Sequence, residues 1–146
     1  MGRSKRNVFL VSCVSTKKND RAAAKDLYCS DWFSKARAYV EMTGDCWYIL
    51  SAKFGLLDPN RIIEPYNTTL VGMNPVAKKL WANRVFAEFK NLYPSSRAVT
   101  ILAGRRYREF LVPLLIASCY EVHVPLEGKG IGQQLQWFKR NSGDHT

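Results

Sequence analysis

Two carboxylates stand in surroundings suited to chemistry. Glu64 lies in Glu64-Pro65-Tyr66-Asn67, and Glu127 in Leu126-Glu127-Gly128-Lys129-Gly130-Ile131-Gly132. A carboxylate beside a rigid proline and an aromatic ring can be partly desolvated, which moves its proton affinity into the general acid or base range. The plainer role for Glu64 is a turn or an ion pair with an arginine such as Arg61. Gly128, Gly130 and Gly132, with Gln133 behind them, precede a helical pattern and can present backbone donors to an anion. Three glycines also make a common tight turn. The charge of Glu127 is awkward in a pure phosphate nest, so sugar or base contact suits it better.

Around these carboxylates the chain offers groups for holding an anion. Ser12-Cys13-Val14-Ser15-Thr16-Lys17-Lys18 follows a strand-like run directly, and its hydroxyls, amides and ammonium groups suit a phosphate. It lacks the glycines of a Walker loop, and an ordinary solvated loop is the alternative. Lys53 sits in a similar position after Trp47–Ser51, and Arg105-Arg106-Tyr107 after Ala98–Ala103. Arginine forks clamp phosphates, and a loop aromatic can stack on a base. Phe54, Tyr66 and Tyr107, with Asn67 beside them, are the candidates for base contact, whereas Trp32, Trp47, Trp81 and Phe89 fall where core is expected. Cys13 has no histidine nearby in sequence, so a buried or loop thiol is preferred over a nucleophile. Asp58, in Leu57-Asp58-Pro59-Asn60, reads as a turn former.

The elements that must position these groups alternate between strand and helix patterns. Strands are expected at Val8–Ser12, Trp47–Ser51, Ala98–Ala103 and Tyr120–Pro125. Helices are expected near Asp31–Met42, capped by Ser30 or Asp31, at Pro75–Leu92, capped by Asn74, near Glu109–Ala117, and at Gly132–Arg140. Pro113 argues against a regular third helix. Ile131, Leu135 and Phe138 share one side of the last helix. The pattern implies one three-layer α/β/α domain with a small, mainly parallel four-stranded sheet. Its polar loops would converge at one sheet edge, where such folds bind ligands. The basic residues 1–6 and the end, 141–146, are expected to be flexible.

A chain of 146 residues suits one core, and 47% hydrophobic against 23% charged residues predicts a folded protein. No apolar run reaches the length of a membrane span, and the first strand is short for a signal peptide, so a cytoplasmic protein with no membrane partner is expected. The four cysteines and two histidines have no zinc-ligand spacing, and the thiols are expected to be reduced. No metal or other cofactor is expected. The net charge of +10 is uneven: residues 1–25 carry seven Lys or Arg against one Asp, and further basic blocks occupy Lys78–Arg97 and Arg105–Arg108. Such a balance favours a polyanion partner, most simply nucleic acid.

Leu-Val-Ser-Cys-Val-Ser-Thr-Lys-Lys, Leu-Tyr-Cys-Ser-Asp-Trp-Phe, Ile-Leu-Ser-Ala-Lys-Phe-Gly-Leu-Leu, Glu-Pro-Tyr-Asn, Leu-Ala-Gly-Arg-Arg-Tyr and Val-Pro-Leu-Glu-Gly together span most of the chain. In these motifs it resembles a family of small bacterial and phage proteins. That family is similar to the YaaA peroxide-stress proteins and to a domain of archaeosine synthase, and more distantly to the uracil-DNA-glycosylase-like fold. The resemblance implies that Ser12–Lys18, Ser51–Gly55, Glu64–Asn67, Gly104–Tyr107 and Glu127–Gln133 line one site for a nucleobase or nucleotide. The Asp-Pro-Tyr and His-Pro-Ser loops of uracil-DNA glycosylases are missing, and His123 falls inside a strand. The expected function is a nucleic-acid-acting N-glycosidase or related base-modifying enzyme, DNA favoured, with Glu64 or Glu127 as the catalytic carboxylate. A non-catalytic DNA- or RNA-binding module and an N-glycosidase for free nucleotides are the alternatives.

Overall fold

The computed structural model describes residues 7–13 and 18–142. In chain order these form β1 (Asn7–Ser12), β2 (Ala22–Ala23), α1 (Ala24–Leu27), α2 (Asp31–Thr43), β3 (Cys46–Ser51), β4 (Gly55–Leu57), β5 (Ile62–Ile63), α3 (Pro75–Leu92), β6 (Ala98–Leu102), α4 (Arg105–Arg108), α5 (Leu111–Ala117), β7 (Glu121–His123) and α6 (Ile131–Asn141). The main sheet has the order β4-β3-β1-β6-β7. Parallel pairing joins β3, β1, β6 and β7, while β4 folds back antiparallel on β3. The sheet therefore has five strands, one more than the sequence pattern predicts. The Ser51–Gly55 turn is tight enough for Gly-Leu-Leu to return along the edge. A two-stranded ribbon, β2 with β5, stands apart from the main sheet.

Central β1 is buried on both sides, and its side chains alternate between two cores. Phe9 and Val11 face α2 and α6, with Phe33, Val40 and Phe138. Val8 and Leu10 face α3 and α5, with Trp81, Val85, Phe89 and Leu115. Helices thus cover both faces of the sheet. Ser30 Oγ caps α2 by accepting from Phe33 N at 3.1 Å, and Asn74 Oδ1 caps α3 by accepting from Ala77 N at 2.8 Å.

The helix expected near Glu109–Ala117 is α5, starting two residues later, and a separate turn of helix that the pattern does not predict, α4, precedes it; Pro113 lies in the first turn of α5. There its missing N–H is one of the donors that no helix end can satisfy internally. The fourth parallel strand, β7, is shorter than Tyr120–Pro125 because Val124 and Glu127 close a turn at once. At the other end α6 runs on to Asn141, one residue into the segment expected to be flexible. Residues 1–6 and 143–146 lie outside the described residues.

Candidate active-site cleft

In an open α/β sheet the crevice forms where successive crossovers leave in opposite directions. Here the chain runs from β1 to β3 on one side and later to β6 on the other, so the switch lies between β1 and β6. A cleft of about 650 Å³ opens there, with Ser12 and Cys13 at the end of β1 facing Gly104–Tyr107 at the end of β6. Its other walls come from Trp32 in the first turn of α2, Thr69 and Val71 on the connection before α3, Glu109 after α4, and Ile131 and Gln134 on α6.

Behind Cys13 and Tyr107, which line this cleft, hydroxyl and thiol groups meet. Cys13 Sγ lies 3.7 Å from the hydroxyls of both Tyr66 and Tyr107. The Tyr66 hydroxyl is also 2.8 Å from Ser51 Oγ and 2.5 Å from the Tyr28 hydroxyl. Ser51 is fully buried, and its Oγ accepts from Phe54 N at 3.0 Å. Burial, reinforced by Cys13 close by, pushes Tyr28, Tyr66 and Tyr107 well above the ordinary phenol value. All three are neutral hydrogen-bonding groups across the physiological range.

The turn that carries Ser51 is braced from outside. Arg84 donates to the carbonyls of Lys53 and Phe54 at 2.9 and 3.0 Å, and Glu88 accepts from Leu56 N at 3.0 Å. Gly55 has φ +70°, and a Cβ there would fall 2.5 Å from Glu88 Oε1. Only glycine suits both the left-handed backbone and the close approach.

The cationic wall is Arg105 and Arg106. Both are exposed on the cleft, and neither side chain makes a hydrogen bond or ion pair among the described residues. Arg108 in the same helix is committed elsewhere, to Ala103 O at 3.3 Å and Glu127 Oε2 at 3.0 Å. Opposite, Trp32 donates its indole N–H to Gln134 Oε1 at 2.8 Å, and Gln134 donates in turn to Lys129 O at 2.8 Å. That chain of bonds fixes the α6 wall to the first turn of α2.

Of the residues singled out by sequence, Ser12, Cys13, Arg105, Arg106 and Tyr107 come together in this cleft. Tyr66 does not line it: its hydroxyl lies behind Cys13, and its ring is buried edge-on against Phe54 and Tyr28, so no base can stack on it. Phe54 is half-buried, with the Arg61 guanidinium 4.8 Å and the Lys53 ammonium 5.3 Å from its ring centre. That ring is already occupied by cations. Glu64 and Asn67 are exposed and do not line the cleft. Glu127 is exposed and held by Arg108.

In the glycine stretch three of the backbone donors are already used within the turn. Glu127 N and Lys129 N donate to the carbonyls of Val124 and Leu126, and Gly130 N donates to Gln133 Oε1 at 3.0 Å. Gln133 is thereby used to start its own helix. Gly128 has φ +78°, whereas Gly130 and Gly132 have no left-handed φ. The backbone N–H of exposed Lys18 donates to Leu27 O. Ser15 and Lys17 lie outside the described residues.

Several lining residues escaped the sequence reading. Trp32 and Ile131 carry core-like periodicity, yet Ile131 is 65% exposed and both serve as cleft walls. Thr69 and Val71 sit on a long connection without regular structure, a length that itself marks functional loops. Glu109, at the start of an expected helix, gives no local sign of facing a cleft. Among the described residues no group of three or more His, Cys, Asp or Glu is placed to hold a metal ion. No described helix is long and apolar enough to cross a membrane.

These features define a mixed α/β protein with a ligand-sized cleft at the carboxyl edge of a mostly parallel sheet. The chain belongs to DUF6884, a family of unknown function, whose sequence profile matches residues 8–140 and so includes every residue of the cleft. It is 29% identical to the uncharacterized protein YfjM of Bacillus subtilis (strain 168) over 120 residues, which cover 80% of this chain and 78% of that protein. No solved structure matches it.

Proposed function

We propose that the cleft receives one nucleotide unit and that the protein is a nucleic-acid-acting N-glycosidase or a related base-modifying enzyme, favouring DNA and working in the cytoplasm. The observation that carries this reading is the pairing of Arg105 and Arg106, whose side chains have no partner among the described residues, with a largely apolar recess that also presents the Tyr107 phenol and the Cys13 thiol. A nucleotide has matching halves. Its phosphate suits the two guanidinium forks, and its base suits a recess walled by Trp32, Val71 and Ile131. The net charge of +10 supports a polyanionic substrate. The mostly parallel sheet with helices on both faces supports the wider likeness to YaaA-type proteins, archaeosine-synthase domains and the uracil-DNA-glycosylase-like fold.

In the proposed reaction water adds to the anomeric carbon while the bond from sugar to base breaks. The bonding electron pair leaves with the base, and the water proton ends on the base. The oxocarbenium-like sugar is stabilised by a carboxylate. Glu109 is the carboxylate that lines the cleft, so the role expected of Glu64 or Glu127 passes to it. Charge developing on the base is met by hydrogen bonds from Tyr107 and Cys13 at the floor.

The test is release of free base from modified and unmodified DNA, RNA and mononucleotides, followed by mass spectrometry. Glu109→Gln is expected to lower release at least ~100-fold while retaining substrate binding. Glu64→Gln is expected to change release less than ~3-fold. Loss confined to Glu64→Gln would return the carboxylate role to the Glu-Pro-Tyr-Asn segment. Tight, salt-sensitive binding without release from any substrate would replace the enzyme by a binding module.

A further inference from the structure

The cleft does not end at its rim. Arg105 and Glu109 also line a neighbouring depression of about 480 Å³, with Arg108, Val112, Pro113, Val124 and Glu127 around it. Glu127 in turn lines a third depression of about 410 Å³, formed with Lys129, Gln133, Trp137 and Arg140 on and before α6. These shared walls set the three depressions side by side in one row, the groove, from the end of β6 past β7 to the outer side of α6.

The groove is strongly cationic. Arg105, Arg106, Arg108, Lys129 and Arg140 line it against the carboxylates Glu109 and Glu127, and Glu127 is already neutralised by Arg108. At its far end stands Trp137. One side of its ring packs edge-on against Tyr39, at 5.0 Å between centres, and against Phe138 at 5.6 Å. The half-buried indole also lines the third depression, between Lys129 and Arg140. An aromatic surface held rigid from behind and flanked by cations is the arrangement that binds one stacked base and its phosphates in a single strand.

We infer that this groove is an extended single-stranded nucleic-acid track, with a flanking-nucleotide subsite formed by Lys129, Trp137 and Arg140. The inference rests on the nucleotide reading of the main cleft and adds that the substrate is a polymer. A nucleotide seated in a recess must leave its stack, and its neighbours along the strand then need a surface of their own. The depressions lead away from the Arg105–Arg106 wall and supply that surface. A double helix gains nothing from an isolated indole, because its bases present no free face.

The experiment compares binding of a fluorescein-labelled oligothymidylate of about 12 nucleotides with binding of thymidine monophosphate, for the full chain and two double variants. Lys129→Gln with Arg140→Gln is expected to weaken the oligonucleotide ~10-fold or more. It should also reduce the slope of log affinity against log salt by about two and leave thymidine monophosphate unchanged. Both side chains are outside the core, and a retained thermal unfolding midpoint checks the fold. Arg105→Gln with Arg106→Gln is expected to weaken both ligands. Oligonucleotide binding that responds to Arg105 and Arg106 but is indifferent to Lys129 and Arg140 overturns the track and keeps the cleft reading. Thymidine monophosphate binding that ignores Arg105 and Arg106 overturns the cleft reading itself. A polyglutamate peptide that binds as tightly as the oligonucleotide, with the same sensitivity to Lys129 and Arg140, overturns the nucleic-acid assignment.

Discussion

At the scale of single residues, the unusual feature is how many hydroxyls this protein buries together. Tyr66 joins Ser51 and Tyr28 by hydrogen bonds and meets Cys13, which also meets Tyr107. Buried phenols carry a consequence for pH. Desolvation raises Tyr28, Tyr66 and Tyr107 above the ordinary value of 10.0, so the folded state holds their protons where the unfolded chain releases them. Their contribution is fully present below pH 10 and is lost as pH rises beyond it. Each group then removes up to about 1.4 kcal/mol of stability per pH unit. Urea unfolding at several alkaline pH values is expected to show stability falling steeply above pH 10, with phenolate absorbance appearing together with unfolding. Tyr66→Phe should make that slope shallower. An unchanged slope would mean that this hydroxyl ionises freely in the folded protein.

At the scale of elements, helix ends decide where the cleft residues point. Asn74 and Ser30 supply caps that the sequence displays openly, because a capping side chain is a local signal. The end of α5 is less usual. Cys119 N donates to Ile116 O and Tyr120 N to Leu115 O, which closes the helix in a Schellman turn. Its left-handed position, φ +69°, is held by Cys119 and not by glycine. A side chain there costs about 1 kcal/mol. Cys119→Gly is therefore expected to raise stability by about 0.5–1 kcal/mol in urea unfolding, since relief of strain outweighs the added freedom of the unfolded chain. A loss of stability would show that the exposed thiol makes contacts that offset the strain.

For the whole molecule, stability rests on two cores separated by one sheet. Leu10 on central β1 is fully buried between β3 and β6, in the core shared with α3 and α5. Leu10→Ala is expected to cost about 3 kcal/mol or more, because neither flanking strand can move inward to fill the space. Leu80→Ala is expected to stay within about 0.5 kcal/mol, since that side chain is 66% exposed on α3. Comparing the two midpoints in urea checks the assignment of inner and outer faces. If the two variants lose stability equally, the surface of α3 is covered in solution.

The sequence by itself determined the alternation of strands and helices, Pro75–Leu92 to the residue, the helix caps, and the cationic loops at the carboxyl edge. Each of these is written in spacing of a few residues or in composition, and neighbours along the chain enforce it. Tertiary structure alone decided which loops meet. It placed Arg105 and Arg106 beside Cys13 and buried Tyr66 by its ring. It left Glu64 outside the cleft and made Ile131, which shares a helix side with buried Phe138, an exposed wall. The glycine stretch became the turn that starts α6, with the amides of Glu127, Lys129 and Gly130 bonded within the turn itself. Those outcomes depend on strand order, and strand order depends on which apolar faces bury each other across the sheet. No local pattern of residues carries that choice.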